Sequence, residues 1–127
     1  MKILGIGVDI IKNKRIKSLL KNKNFIKRTF GKKEVQLSKK ISNKDLYFAK
    51  RFAAKESFAK ALGTGFRNNL NFKDIEILND KIGKPYYFKS IKINNIVRQK
   101  FNIKKYNLFL SISDEKDYSI AFTIVQK

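Results

Sequence analysis

An almost unbroken apolar segment opens the chain and predicts a buried strand over residues 2–11. Gly5 and Gly7 within this segment would let another backbone or a ligand approach closely. Asp9 is the acid of the segment. It has two interpretations: a residue at the strand end that caps the following helix, or a metal ligand at a strand terminus.

Behind the strand, apolar residues recur at helical spacing and predict a helix with an irregular end over residues 12–30. These apolar positions are Ile16, Leu19 and Leu20. The rest of the helix is basic, which is typical of a solvated face but would also suit nucleic acid or an acidic partner helix. A polar stretch with Glu34 and Leu37 follows.

The longest helical pattern predicts a central helix that begins near residue 43 and ends at Gly63. At its start, residues 42–45 resemble an N-cap with an acid three residues on. Glycine is favoured just beyond a helix end, because it adopts the left-handed backbone conformation without strain. The other elements are arranged around this helix.

Glu56 has an unusual position on the central helix. At 100° per residue, it falls within an apolar arc that contains Phe48, Phe52, Ala59 and Gly63. The opposite side carries Lys50, Ala54, Ser57 and Ala61. Because a carboxylate is costly to bury alone, Glu56 needs a metal or a partner, and Lys60 lies one turn further on. The alternative is a Glu56–Lys60 pair that only helps solubility.

The second half of the chain combines short strands with one amphipathic helix. The predicted elements are strands over 72–78, 86–88, 107–113 and 118–125, and a helix from 90 to about 101. Helices together with antiparallel hairpins indicate an α+β fold. At 127 residues, we expect a single domain over residues 1–127.

The composition excludes several kinds of chemistry. The chain has no cysteine and no histidine, so disulfides, thiolate zinc sites and imidazole catalysis are excluded. A metal would have to be held by oxygen, which favours Mg²⁺ or Ca²⁺. The sequence has neither an apolar run of membrane-spanning length nor a signal peptide, and we therefore expect a cytoplasmic protein with no membrane partner.

A net charge of +20 implies polyanionic partners, such as phosphorylated ligands, nucleic acid or a very acidic protein. Lys, Asn and Ile are abundant, a bias that an AT-rich genome would also produce at surface positions. A small basic nucleic-acid-binding protein would explain the charge and the interleaved aromatic residues. It would not explain an acid on the apolar face of the central helix.

Four segments together resemble the bacterial holo-[acyl-carrier-protein] synthases, the small 4′-phosphopantetheinyl transferases. They are GIGVDI near the start, FAKRFAAKESFAKALGTGFR in the middle, NDKIGKP after it and SISDEKDYSIAF near the end. The resemblance runs in order from residue 3 to about 125. It implies the fold of that family, with a central helix packed on a small antiparallel sheet, and a homotrimer with active sites between neighbours. The sibling transferases that serve peptide or polyketide carrier domains are longer and duplicated internally.

The resemblance also implies roles for particular residues. Asp9 and Glu56 are similar to the two magnesium-binding carboxylates of the family, and Lys60 to the lysine that faces the pyrophosphate of coenzyme A. Arg15 and its helix resemble the surface that docks the acidic helix of the carrier protein. Residues 111–116 lie where the family contacts the nucleotide end of coenzyme A. The coenzyme A pocket corresponds to Gly63, Thr64, Gly65, Arg67, Gly83, Lys84, Pro85 and Ser113.

The implied reaction is the transfer of 4′-phosphopantetheine from coenzyme A to a serine of apo-acyl carrier protein, with release of 3′,5′-ADP, for fatty acid biosynthesis. Phosphoryl-type transfer needs positioning and charge neutralisation more than covalent help, which suits Glu56 and Lys60 as catalytic residues beside Mg²⁺. The base that accepts the serine proton is either Glu56 or a metal-bound water. Asp114 stands where many members have histidine. Nucleic acid is not an expected partner.

Overall fold

The computed structural model describes residues 1–67 and 69–127. Its elements in order are β1 (Ile3–Lys12), α1 (Asn13–Leu19), α2 (Lys23–Thr29), α3 (Lys32–Ser38), α4 (Lys44–Leu62), a 3₁₀ turn (Phe72–Asp74), β2 (Ile77–Asn79), β3 (Pro85–Tyr87), α5 (Ile91–Phe101), β4 (Asn107–Asp114) and β5 (Tyr118–Gln126). The three long strands form an antiparallel sheet in the order β1–β5–β4, and β2 and β3 form a separate hairpin. The predicted α+β class is confirmed.

The ends of α4 follow from its local sequence. The Asn43 side chain accepts a hydrogen bond from the Leu46 backbone N–H at 3.1 Å, so the cap is one residue later than the Ser42 motif suggested. Gly63, with φ at 80°, ends the helix in the left-handed conformation. The predicted start and end of the central helix are therefore confirmed, as are the predicted α5, β4 and β5.

β1 lies directly against the backbone of α4, and two glycines make this possible. A Cβ atom added at Gly5 would collide with the Ala61 carbonyl oxygen, and one at Gly7 would collide with the Ser57 carbonyl oxygen. The close backbone approach predicted for these glycines is confirmed, with the helix as the neighbour. Because Asp9 follows Gly7 along the strand, this packing brings its side chain beside the same helix.

The single helix predicted over residues 12–30 is wrong, because the structure has two short helices there. The Asn22 side chain accepts a hydrogen bond from the Asn24 N–H at 2.9 Å and starts α2 afresh. The break turns Phe25 and Phe30 toward α4, where the Phe30 and Phe48 ring centroids lie 4.5 Å apart. The polar stretch that follows forms α3.

The strand predicted over residues 72–78 is also largely wrong. Asp74 accepts a hydrogen bond from the Asn71 N–H at 2.9 Å and is paired with Lys92 at 2.7 Å, so the segment begins as a 3₁₀ turn. A strand forms only from Ile77 to Asn79. Ile75 and Ile77 are both buried, so the apolar alternation reported burial correctly but not backbone conformation.

Burial on α4 is not confined to the predicted apolar arc, because the helix is covered on almost every side. Ala54, Ser57 and Ala61 are buried, since the sheet packs on one side of α4 while α1 packs on another. The Ser57 hydroxyl lies 2.6 Å from the Thr123 hydroxyl of β5. Glu56 is only half-buried, and the charged residue that α4 buries completely is Lys55.

Lys55 forms a buried ion pair with Glu34 of α3. Both side chains are 0% exposed, and the Lys55 Nζ lies 2.5 Å from the Glu34 Oε1. Lys55 also donates to the carbonyls of Phe72 and Ile75, and Glu34 accepts from the N–H groups of Gly31 and Ile77. One ion pair thus joins α3, α4, the 3₁₀ turn and β2.

The sheet face that points away from α4 is apolar and exposed. Its large apolar side chains are Ile6, Val8, Ile10, Phe109, Ile120 and Phe122. Strand register places several of them side by side, with Val8 opposite Phe122 and Ile10 opposite Ile120. A contiguous apolar surface of this kind is typical of an association surface. No helix in the described part of the chain is both long and apolar enough to cross a bilayer.

Candidate active site

The predicted site residues Asp9 and Lys60 meet where β1 crosses α4. The Lys60 Nζ donates to the Asp9 Oδ1 at 3.1 Å and to the Val8 carbonyl at 3.0 Å. Asp9 lies inside β1, so the predicted position at a strand end is wrong. Since α1 also begins without a side-chain cap, the capping interpretation of Asp9 is wrong as well. Lys60 is 54% exposed and Asp9 is 16% exposed, so the pair faces an accessible surface.

The predicted Glu56–Lys60 ion pair is wrong. Across residues 1–67 and 69–127, the ion pairs include Lys60 with Asp9 and none with Glu56. Burial, and after it the charge of Asp9, raises the pKa of Glu56, while Lys60 and Arg15 oppose this increase. The two carboxylates are therefore near enough to repel each other, and a cation between them would relieve that repulsion.

The donors at this site suit a hard cation. Asp9 and Glu56 offer only oxygen, and in the described residues no group of three or more metal-ligating side chains occurs. Magnesium is commonly bound by one or two carboxylates, with water and substrate phosphates as the other ligands. Two carboxylates beside an accessible lysine therefore fit Mg²⁺ together with a phosphorylated substrate.

A cleft of about 520 Å³ extends from Glu56 toward α1 and α2. Arg15 and Arg28 stand on its rim, and Phe52 and Phe66 are among its apolar lining residues. The Arg15 guanidinium carbon lies 5.9 Å from the centre of the Phe52 ring. The structure thus places the predicted docking residue Arg15 in the same cleft as Glu56, with a second arginine that the sequence analysis did not identify.

A second group of predicted residues lies at the β2–β3 turn. Gly83, with φ at 88°, precedes Lys84 and Pro85 there. The Asn79 side chain donates to the Gly83 carbonyl at 2.9 Å and accepts from Arg51 of α4 at 2.5 Å. These contacts tie the turn to the N-terminal half of α4.

Asp114, at the end of β4, faces this same half of the helix. Its Oδ1 lies 3.9 Å from the Lys50 Nζ, and Ser113 beside it is exposed. Lys50 and Arg51 were not predicted as site residues, since basic residues on a helix carry no distinctive signal in the sequence. Their adjacency on the helix, six and five positions before Glu56, would have been the available indication.

The predicted site residues therefore form two groups within one chain. One group lies near Lys60 and the other lies near Lys50, and these two positions on α4 are about 15 Å apart along the helix axis. The segment after α4 belongs at the Lys60 end, where Thr64 and Arg67 line a depression of about 480 Å³. The Asp114 end contains Ser113, and the β2–β3 turn is tied to Arg51 next to Lys50.

The fold and the carboxylate pair on β1 and α4 agree with the sequence comparison. The chain belongs to the 4′-phosphopantetheinyl transferase superfamily, whose family model matches residues 5–123. Within that superfamily it is similar to the holo-[acyl-carrier-protein] synthase of Pelagibacter ubique, at 61% identity over 100% of this chain and 99% of the relative. The synthase of Ehrlichia chaffeensis is 49% identical over 97% of this chain and 96% of the relative.

Solved structures give the same result. The holo-[acyl-carrier-protein] synthase of Neisseria meningitidis superimposes with a TM-score of 0.89 at 38% identity, over 99% of this chain and 100% of that chain. The synthase of Bacillus anthracis, in complex with CoA (3′,5′-ADP), gives a TM-score of 0.81 at 34% identity, over 98% and 97% of the two chains. The family resemblance seen in the sequence motifs is confirmed.

Proposed function

We propose that this chain transfers the 4′-phosphopantetheine group from coenzyme A to a serine of apo-acyl carrier protein and releases 3′,5′-ADP. The observation that carries the proposal is the contact of Lys60 with Asp9 where β1 packs on α4, one helical turn from Glu56, whose pKa is raised by burial and by the charge of Asp9. Full-length relatives named holo-[acyl-carrier-protein] synthase support the reaction, and the complex of the Bacillus anthracis enzyme supports the donor. Such an activity would serve fatty acid biosynthesis.

Asp9 and Glu56 are proposed to hold Mg²⁺, because both present oxygen ligands and their like charges favour a cation. When bound, Mg²⁺ would polarise the transferred phosphoryl group and neutralise charge on the leaving group. Lys60 would contact the pyrophosphate of coenzyme A, since its flexible ammonium already lies at the carboxylate of Asp9. Glu56 or a water beside the metal would accept the serine proton. Burial and the charge of Asp9 raise the pKa of Glu56, but Mg²⁺ held by the two carboxylates would oppose this increase, so the shift does not choose between the two bases.

Coenzyme A binding is assigned to both groups of residues. Gly63, Thr64, Gly65 and Arg67 would serve the Lys60 end, and Gly83, Lys84, Pro85 and Ser113 the other end. Asp114 would repel phosphate if it stood alone, but Lys50 at 3.9 Å offsets its charge. Lys50 thus reduces the repulsion of phosphate by Asp114, but it does not supply the hydrogen bond that a histidine would donate there.

A homotrimer would reconcile the separation of these two groups. The exposed apolar face of the β1–β5–β4 sheet supports self-association, and a neighbouring chain could then bring its β2–β3 turn to the Asp9–Glu56 site. The test is complementation between Glu56→Gln and Lys84→Glu, each of which should be inactive alone. Co-expressed chains should recover activity, because mixed assemblies contain sites with both residues intact. Persistent inactivity in a confirmed mixed trimer would show that each site belongs to one chain.

The reaction is tested by mass spectrometry of purified apo-acyl carrier protein after incubation with this protein, coenzyme A and Mg²⁺. The carrier should gain the phosphopantetheine mass, and EDTA should prevent the gain. Asp9→Ala, with folding checked by circular dichroism, is the matched inactive control. An unmodified carrier in the presence of folded wild-type protein would overturn the proposal.

A further inference from the structure

A second concave surface lies on the helical side of the molecule, between α2, α3 and the 3₁₀ turn. This α2–α3 groove has a volume of about 1040 Å³. Among the described residues, it shares no lining residue with the cleft that contains Glu56. Neither the proposed transfer reaction nor the exposed sheet face uses it.

The rim of the α2–α3 groove is strongly basic. Its lysines are Lys23, Lys27, Lys32, Lys33, Lys39 and Lys73. All six are exposed, and over the ranges 1–67 and 69–127 none of them takes part in an ion pair. Of the two lining acids, Asp74 is paired with Lys92 at 2.7 Å, whereas Glu76 accepts a hydrogen bond from the Lys33 backbone N–H at 3.1 Å and keeps its charge. The rim therefore offers an excess of positive charge to an occupant.

The floor beneath these lysines is apolar. Ile26 and Val35 are half-buried and line the groove, and Phe30 lies below them at 3% exposure. An apolar floor with a charged rim needs an occupant that has both apolar and anionic groups, arranged on opposite sides or along its edges.

The shape and chemistry of the groove select among anionic partners. A planar bilayer would meet the protruding lysines but could not fill a concave floor. Single-stranded nucleic acid needs exposed aromatic rings on which bases stack, whereas this floor is aliphatic and its phenylalanine is buried. An amphipathic helix places apolar side chains at i, i+3, i+4 and i+7 into a groove, and acidic residues beside them would reach the lysines.

We propose that the α2–α3 groove binds an acidic amphipathic helix of a partner protein, at a surface separate from the Glu56 cleft. Carboxylates of the helix pair with the rim lysines, and its apolar stripe covers Ile26 and Val35. The pairing is exposed to solvent at the rim, so binding weakens as salt rises.

The test uses fluorescence anisotropy of a labelled helical peptide of about 18 residues, with leucine at i, i+3, i+4 and i+7 and glutamate on its flanks. The wild-type protein should bind it, and Lys32→Glu/Lys73→Glu should weaken binding by roughly tenfold or more. The matched control is Lys104→Glu/Lys105→Glu, which changes the net charge equally at exposed positions that do not line the groove. The control should bind the peptide as the wild type does.

Further measurements distinguish the competing explanations. A peptide of the same composition with scrambled leucines should bind at least several-fold more weakly, since the apolar stripe is required. Equal loss in both lysine variants would show general charge attraction and overturn the proposal. Displacement of the peptide by polyuridine or by phosphatidylglycerol vesicles at lower concentration than unlabelled peptide would also contradict it. A higher KM for apo-acyl carrier protein in Lys32→Glu/Lys73→Glu would also contradict the proposal, because the groove would then belong to the docking surface of the substrate.

Discussion

Replacing Lys55 by methionine should strongly destabilise the fold, because the change leaves the Glu34 carboxylate buried without its partner. Both side chains are 0% exposed and lie 2.5 Å apart. In Lys55→Met, Glu34 would keep only the hydrogen bonds from the Gly31 and Ile77 backbone. The Phe72 and Ile75 carbonyls would lose the ammonium that now donates to them.

The loss of stability in Lys55→Met follows from the desolvation of the Glu34 carboxylate and from the backbone groups that lose a hydrogen-bond partner. Burial raises the pKa of Glu34 and lowers the pKa of Lys55, and in each case it outweighs the attraction between the two groups. Removing one member of a buried pair typically costs about 3–5 kcal/mol. That is a large share of a total stability of about 5–15 kcal/mol, so the variant should still fold but with a much lower midpoint.

The double variant Glu34→Leu/Lys55→Met separates the ion pair from its hydrogen bonds. No charge remains buried, but the N–H groups of Gly31 and Ile77 and the carbonyl of Ile75 lose their partners, at about 1–3 kcal/mol each when unsatisfied. The Phe72 carbonyl still accepts from the Ile75 N–H at 3.1 Å. The double variant should therefore be destabilised, yet by at least about 2 kcal/mol less than the sum of the two single changes. Urea unfolding of the four proteins, with equal m-values as the control, measures this coupling.

Acidification gives an independent check on the same reasoning. With Lys55 removed, the raised pKa of Glu34 means that the folded state holds a proton more tightly than the unfolded state. The stability of Lys55→Met should then increase as the pH falls from 7 toward 5, relative to wild type. Additive single changes, or a loss below about 1 kcal/mol in Lys55→Met, would refute the argument that the buried charge is the dominant cost.

Three further predictions concern the site and the core. Glu56→Gln should lower turnover at least about a hundredfold while leaving the circular dichroism spectrum unchanged, and wild-type activity would remove Glu56 from the site. Arg15→Glu should raise the KM for apo-acyl carrier protein roughly tenfold but not the KM for coenzyme A, whereas equal changes in both would exclude Arg15 from docking. Burial raises the pKa of Tyr87, so the unfolded state loses this proton first and stability present below pH 10 is lost above it. The advantage of wild type over Tyr87→Phe in urea unfolding should shrink by about 1 kcal/mol between pH 10 and 11, and a constant difference would contradict the assignment.

The net charge of +20 has a structural distribution that the composition alone did not reveal. Arg15 and Arg28 line the Glu56 cleft, whereas six lysines surround the α2–α3 groove. Compositional bias toward lysine could populate any exposed position, but it does not explain an aliphatic floor beneath a lysine rim. Charge-reversal variants at the groove therefore test whether its lysines bind a partner or only reflect the compositional bias.

The elements that the sequence predicted well are those whose signals are local. The apolar run of β1, the start of α4 near residue 43 and its end at Gly63 depend on a few neighbouring residues, and the structure contains each of them, with the cap one residue later than the motif suggested. The motifs on β1 and α4 also contain two residues that the fold brings together, since Asp9 and Lys60 contact each other although they are 51 positions apart. Assigning both residues to one site depended on the family resemblance, because nothing in the spacing of the two residues indicates a contact.

Tertiary structure alone decided how the charged residues are paired. Lys60 pairs with Asp9 instead of with Glu56 because β1 crosses α4 at the two glycines, a contact that helical periodicity cannot report. Lys55 is buried because α4 is covered on nearly all sides, and its partner Glu34 comes from a helix 21 positions away. Local sequence determines which backbone conformation is favoured, whereas burial and pairing depend on which distant segments pack together, and those set the chemistry of this site.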